Sequence, residues 1–339
     1  MKNKLLLTTA IASGMMISSA ALAEVKVSGD VEATYKSVSY DVSGEQINGG
    51  GGLGMETNIA ISYTGALDNG LNVSAGSIIE DGTADSEYLT IGGEVVSFTI
   101  GQDVGHHLTS TVVPHISDQD GTLYSQGSST TANMFSRIAL VKNQQGGATH
   151  EPLHVSLDAK AAGGTATFRY TPSTNTGRVS DSGVDDSGKS AIEILYSGSL
   201  GVEGLKVQVG TARQTQEDDS ATTTDDVVLN KFGASYNFGQ VSVGAQRQSY
   251  DSGAASNSDT TQDTFAAVFA ANDQIRIGAR YTKVDQDGKT ADEKMKTLEI
   301  GYNLGGLGIE IAVGQMENVG GVASQGDADV IQIRTRQAF

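Results

Sequence analysis

From Val25 onward the chain alternates oily and polar residues with a period of two, breaks into polar loops, and resumes many times. Val25, Val27, Val31, Ala33 and Tyr35 share one face of an extended segment; Lys26, Asp30, Glu32 and Lys36 share the other. Leu53, Met55, Ile59, Ile61 and Tyr63 oppose Glu56, Asn58 and Ser62 in the same way. Leu153, Val155, Leu157 and Ala159 oppose His154, Asp158 and Lys160, while Phe168 and Tyr170 oppose Arg169. Ile275, Ile277, Ala279 and Tyr281 oppose Arg276 and Arg280; Leu298, Ile300, Tyr302 and Leu304 oppose Glu299 and Asn303. Successive side chains of a strand point to opposite sides, so each segment predicts a strand with one apolar and one wetted face.

The connections sharpen this. Short, glycine-rich turns at Gly65–Gly70, Ala161–Gly164, Gly198–Gly204, Asn237–Gln240, Ala271–Gln274 and Gly305–Gly308 alternate with long polar stretches such as Asp41–Gly51, Ser173–Ser187 and Thr215–Asp225. Strict alternation of short and long connections predicts an all-β, antiparallel, up-and-down transmembrane barrel. Tyr236-Asn237-Phe238-Gly239 and Tyr302-Asn303-Leu304-Gly305 read as one hairpin motif used twice. Seventeen segments qualify as strands, but chain ends on one side require an even number. Met134–Lys142, the weakest, is therefore assigned to a long loop from Val104 to Pro152, which leaves about 16 strands. A soluble β-sandwich would also alternate, with its apolar faces turned inward. Here the charges are too consistently sorted for that, and lipid is the natural partner of the apolar face. Lipid offers no hydrogen bonds to an open edge, so such a sheet must close, and a barrel of this size leaves an aqueous channel. A lysine or arginine at mid-bilayer costs about 2–4 kcal/mol; the exceptions Glu87, Arg213, Arg247, Lys296 and Asp329 fall beside long loops.

Composition adds limits. Lys2 and Lys4, the apolar stretch Leu5 to Ile17 and Ala21-Leu22-Ala23 form a secretory signal peptide over 1–23, cleaved between Ala23 and Glu24. Residues 24–339 are then the barrel domain, and losing Lys2 and Lys4 takes the net charge from −18 to −20. A chain this acidic repels nucleic acid and gathers cations. Cysteine is absent, so disulfide and thiol chemistry are excluded. Three prolines against 43 glycines suit paired strands, because proline removes a ladder donor.

Motifs for chemistry are sparse. Gly49-Gly50-Gly51-Gly52-Leu53-Gly54 contains a Gly-x-Gly-x-x-Gly match, but it lies between strands instead of opening a helix. No nucleophile elbow or His-Glu-x-x-His pair occurs. His106, His107, His115, His150 and His154 gather in or next to the long loop, without ligand spacing, and read as polar residues of a wet loop. Acidic loops (Asp181 to Asp186, Glu217-Asp218-Asp219, Asp225-Asp226) read as solvated surface, with calcium as the alternative. No cofactor is expected.

The signal peptide, the terminal Phe339 after Arg334-Thr335-Arg336-Gln337-Ala338, and Phe98-Thr99-Ile100-Gly101-Gln102-Asp103 before the longest loop resemble the trimeric general porins of Gram-negative outer membranes. Gln102 departs from the arginine usual in that family. The resemblance implies a homotrimer, an assembly signal at Phe339, and a long loop folded into the pore. Fixed charge at such a constriction selects ions. The inward parity offers Arg169, Arg276, Arg280, Arg334 and Arg336, together with Lys26, Lys36, Lys206 and Lys231; Asp103, Asp118 and Asp120 lie in or beside the loop. A transverse field between this arginine wall and the loop carboxylates is the expectation. The function expected is passive diffusion of small hydrophilic solutes and ions across the outer membrane, without enzymatic activity. A surface binding or adhesion barrel, or a barrel hydrolase with a rim site, are the alternatives.

Overall fold

Each period-two segment is an extended strand in the computed structural model, hydrogen-bonded on both sides so that no edge is left for lipid to meet. The structure describes residues 24–41, 50–102, 108, 110–116, 153–172, 190–215, 226–251, 253, 259–319 and 326–339. In chain order the strands are β1 Glu24–Asp41, β2 Gly50–Ala66, β3 Asn72–Glu80, β4 Thr83–Gly92, β5 Val96–Gln102, β6 His154–Ala161, β7 Gly164–Thr171 and β8 Ala191–Gly198. They continue as β9 Leu205–Gln214, β10 Val227–Asn237, β11 Val241–Asp251, β12 Thr260–Ala270, β13 Ile275–Gln286, β14 Glu293–Asn303, β15 Leu307–Glu317 and β16 Asp327–Ala338. Neighbours in sequence pair antiparallel, and β1 pairs β16, closing a 16-strand barrel. Met134–Lys142 lies outside the described residues.

The faces sort as the alternation requires. Phe168, Ile194, Phe265, Leu298 and Ile300 stand on the outer surface at 41–54% exposure, whereas Arg169, Gln248, Thr282 and Glu299 on the inner parity are 0–2% exposed. Apolar faces therefore look outward and do not pack against each other, which excludes the sandwich.

At the seam, Tyr35 opposes Ile333 and Thr34 opposes Arg334. Gly29 and Phe339 exchange both backbone bonds, Gly29 N–H donating to Phe339 O at 3.1 Å and Phe339 N–H to Gly29 O at 2.9 Å.

The repeated hairpin motif is one turn made twice. Asn237 Oδ1 accepts from Gly239 N–H at 2.7 Å, and Asn303 Oδ1 from Gly305 N–H at 2.8 Å, with both glycines at positive φ. Asparagine mimics a backbone turn through its side chain, and glycine takes the left-handed step without strain. The alternation of connection lengths has one exception. At the long-loop end, β3 and β4 are joined by Asp81 (φ 46°) and Gly82 (φ 84°) alone. Two successive positive φ values make a tight hairpin turn, and the Asp81 carboxylate fastens it to β2 by accepting from Thr57 N–H at 2.9 Å.

Outward charges keep to the long-loop end, and most find partners. Arg247 lies opposite Asp263 and makes two bonds of 2.6 Å to it; Arg213 pairs with Asp226 at 2.5 Å, Lys283 with Asp292 at 2.9 Å, and Lys296 with Glu317. Glu87 opposes Gln102, the last residue of the short β5, so it too lies level with the start of the long loop.

Candidate pore constriction

A stretch of the long connection between β5 and β6 lies against the inner wall. Among its described residues, Leu108 is fully buried in an apolar cluster with Ala191, Leu195, Ala212 and Leu229, all at inward parity on β8, β9 and β10. An irregular chain inside a barrel has amides that no ladder satisfies, and here wall side chains supply the partners. Leu108 N–H donates to Glu193 Oε1 at 2.9 Å, and Lys231 Nζ donates to Leu108 O at 2.9 Å. Val112 N–H donates to Gln246 Oε1 at 3.1 Å, and Gln208 Nε2 to Ser110 Oγ at 2.7 Å. Ile116 N–H donates to Glu299 Oε2 at 2.6 Å. Both glutamates are ionic acceptors, which makes these the strong bonds of the set.

Each glutamate has an arginine behind it. Arg169 stands 3.9 Å from the second oxygen of Glu193, and Arg280 stands 3.4 Å from that of Glu299. All four side chains are nearly inaccessible to solvent. A buried carboxylate is tolerable only when paired, and the arginines supply that pairing.

Wall glycines let the segment approach so closely. Gly210, Gly233, Gly244, Gly278 and Gly301 sit beneath Leu108, Val112, Pro114 and Ile116, where a Cβ would fall within 2.4–3.2 Å of a loop side chain. Between the segment and β8–β11 a cavity of about 680 Å³ opens toward the short-turn end, lined by Ser110, Lys206, Gln208, Ser235, Asn237 and Ser242.

The arginines do not form one wall opposite the loop. Arg169 and Arg280 lie on the loop's own side, committed to Glu193 and Glu299. Arg334 and Arg336 stand on β16, two strands beyond β14, with Arg334 in one row with Glu310 and Gly301. Arg334 bonds Glu310 at 2.6 Å and reaches Glu32 at 3.4 Å; Arg336 forks onto Asp30 with two 2.9 Å bonds. Arg276, inward at the short-turn end of β13, is exposed and makes no ion pair with a described residue. Asp103, Asp118 and Asp120 lie outside the described residues, as do the acidic loops over 181–186 and 217–219. His115 is exposed on the inner segment with Nδ1 3.1 Å from Val113 O, and His154 is buried at the start of β6. His106, His107 and His150 are outside the described set. Among the described residues no three His, Asp or Glu side chains converge as a metal site.

Sequence reasoning did not single out Glu193, Glu299, Gln246 or Leu108. A signal for them existed: Leu195, Ala212 and Leu229 are apolar residues at wetted parity. A second such patch, Val38, Met295, Met316, Ala328 and Val330, is covered by Val319 from the β15–β16 connection. Oily residues facing the lumen mark where a connection folds in.

A closed barrel, apolar outside and polar within, with a connection strapped to its inner wall, has the form of a pore. A family model described as Gram-negative porin matches residues 8–321. The chain belongs to that family. This porin is therefore an outer-membrane β-barrel and a passive diffusion channel. Its fold is similar to an anion-selective porin from Comamonas acidovorans, at 18% identity and TM-score 0.64, covering 94% of this chain and 100% of that one. OmpT of Vibrio cholerae, an outer membrane protein folded in vitro, gives 13% identity and TM-score 0.65 over 96% and 100%. A mutant Rh. blastica porin gives 14% and 0.58 over 93% and 100%. Comparison of the sequence with curated proteins finds no match.

Proposed function

We propose that this porin passes small hydrophilic solutes and ions down their gradients, making and breaking no bond, with the strapped connection narrowing the path. The observation that carries this reading is the run of wall-to-loop bonds from Glu193 to Glu299, which holds an irregular connection inside a barrel whose inner face is polar. We assign the ion-selecting charge to Arg276, Arg334 and Arg336, acting with the carboxylates Asp103, Asp118 and Asp120 of the long connection. Fixed charge on a narrow, low-dielectric rim focuses the field along the path of a passing ion. Residues 1–23 serve as the signal peptide, with cleavage after Ala23 at the small-residue end Ala21-Leu22-Ala23. Phe339 is the assembly signal.

The working unit is a homotrimer. An outward groove of about 450 Å³ along β1–β5, lined by Val25, Ile61, Tyr63, Ala75 and Ile100, includes Glu87. A carboxylate beside an apolar groove suits a protein neighbour better than lipid tails. Planar-bilayer recording of the purified protein tests the channel: discrete conductance steps in groups of three are expected. A silent bilayer, or hydrolysis of added phospholipid or peptide, would overturn the reading.

A further inference from the structure

We propose that the bore of this channel is set by glycines of the wall beneath the inner segment, Gly233, Gly244 and Gly301 foremost, which recess the loop by the thickness of a methyl group. The inference rests on the diffusion-channel reading. All three glycines face inward, on β10, β11 and β14. Glycine weakens a strand interior and usually marks close backbone approach, and here the approaching groups can be named. A Cβ on Gly233 would lie 2.6 Å from Val112 Cγ1, one on Gly244 2.7 Å from Pro114 Cδ, and one on Gly301 2.7 Å from Ile116 Cγ2. Non-bonded carbons rest about 3.5–4.0 Å apart, so each added methyl displaces its partner by about 1 Å.

The displaced atoms have no escape of their own. Valine and isoleucine are stiff at χ1, and proline is a closed ring. The push passes to the loop backbone. Behind that backbone is the sheet and in front of it the pore, so the loop moves into the path of the solute. Meanwhile Gln246 and Glu299 hold the amides of Val112 and Ile116 and keep the segment drawn down onto its seat. Wall glycine and side-chain tether together fix the height of the constriction.

The track continues at Gly210 and Gly278, but these are poorer probes. A Cβ on Gly210 would also meet Ile194 O at 2.5 Å and strain the sheet itself, and Gly278 is looser, with Ile116 Cδ1 at 3.2 Å. A Cβ on Gly244 would meet Ser235 Cβ of the next strand at 2.9 Å, which makes it the second choice after Gly301 and Gly233. Gly54 supplies the contrast. It lies at inward parity on β2, opposite Thr34, with nothing within 4 Å of its would-be Cβ among the described residues. Glycine there makes no room for a loop.

The test is single-channel conductance of the full chain in planar bilayers, together with the largest neutral sugar admitted in liposome swelling. Heat-modifiable gel migration confirms a folded barrel for every variant. Gly301→Ala and Gly233→Ala should each lower conductance and the size limit, and the double variant should lower both further. Gly54→Ala should match wild type. In an Ile116→Ala background, Gly301→Ala should change nothing, because the atom it pushes is gone. Should either variant fail to form a barrel, Gly244→Ala in the presence and absence of Pro114→Ala decides in its place. Wild-type or higher conductance in the folded glycine variants, or a loss that persists in the Ile116→Ala background, would overturn the proposal while leaving the channel reading intact. A wild-type chain that does not conduct would overturn both.

Discussion

Arg169 on β7 and Arg336 on β16 are both inward arginines beside a carboxylate, yet one side chain is 3% exposed and the other 56%. The difference lies in what covers them. Beneath the connection, the charges of β7–β14 are spent on structure: Arg169 and Lys231 stabilise Glu193, Arg280 stabilises Glu299, and the glutamates hold Leu108 and Ile116. Two strands beyond β14, Arg334 and Arg336 pair instead with Glu32, Glu310 and Asp30 and hold no described loop residue, at 12% and 56% exposure. Residue type and parity are the same on both walls. Covered charge holds the loop, and open charge meets the ion.

Four experiments would break or sharpen that contrast. The largest effect is expected at the seam that joins the open wall to itself: Phe339 deletion should abolish most assembled barrel in outer-membrane fractions, read by heat-modifiable migration. Undiminished assembly would remove Phe339 from any signal role. Next is the covered wall. Glu193→Leu leaves Arg169 and Lys231 buried without their anion, a change that typically costs about 3–5 kcal/mol. It should lower the denaturant midpoint and make open-channel current noisy as Leu108 loses its anchor. Quiet current at normal stability would mean that Glu193 does not hold the loop.

Third, Arg334→Ala uncovers Glu32 and Glu310 toward the pore, so the reversal potential in a salt gradient should shift toward cation preference. Arg276→Ala should shift it the same way. Arg169→Gln, behind the loop, should shift it least; an equal shift would erase the distinction between the walls. The smallest effect belongs to the outer collar, where Arg247→Ala should leave both thermal denaturation and conductance near wild type, because exposed ion pairs contribute little.

The barrel was legible because its cause is local: the period of two states which face each residue takes, and lipid requires the sheet to close. Arg276, Arg280 and Arg334 could be placed on the lumen side from parity alone. Parity says nothing about which stretch of wall a loop covers, so the burial of Arg169 and Arg280, unlike the exposure of Arg336, was not readable. It depends on where the long connection folds, a contact between residues as distant as Ile116 and Glu299. Leu195 and Leu229, oily at a wetted position, carried the trace of that contact. The two-residue turn at Asp81-Gly82 was missed for a simpler reason: no long polar stretch advertises it.

The pairing of Gly29 with Phe339 bears on how the molecule is made. Partners some 300 positions apart must meet before the cylinder is sealed, as Ala33 and Thr335 also show (separation 302). Contacts this distant form slowly, and until they form the nascent sheet carries two bare borders that any passing strand can zip onto. In an aqueous compartment those borders are the open chain's aggregation liability. The same bond that finishes the pore thus also removes its last exposed edge.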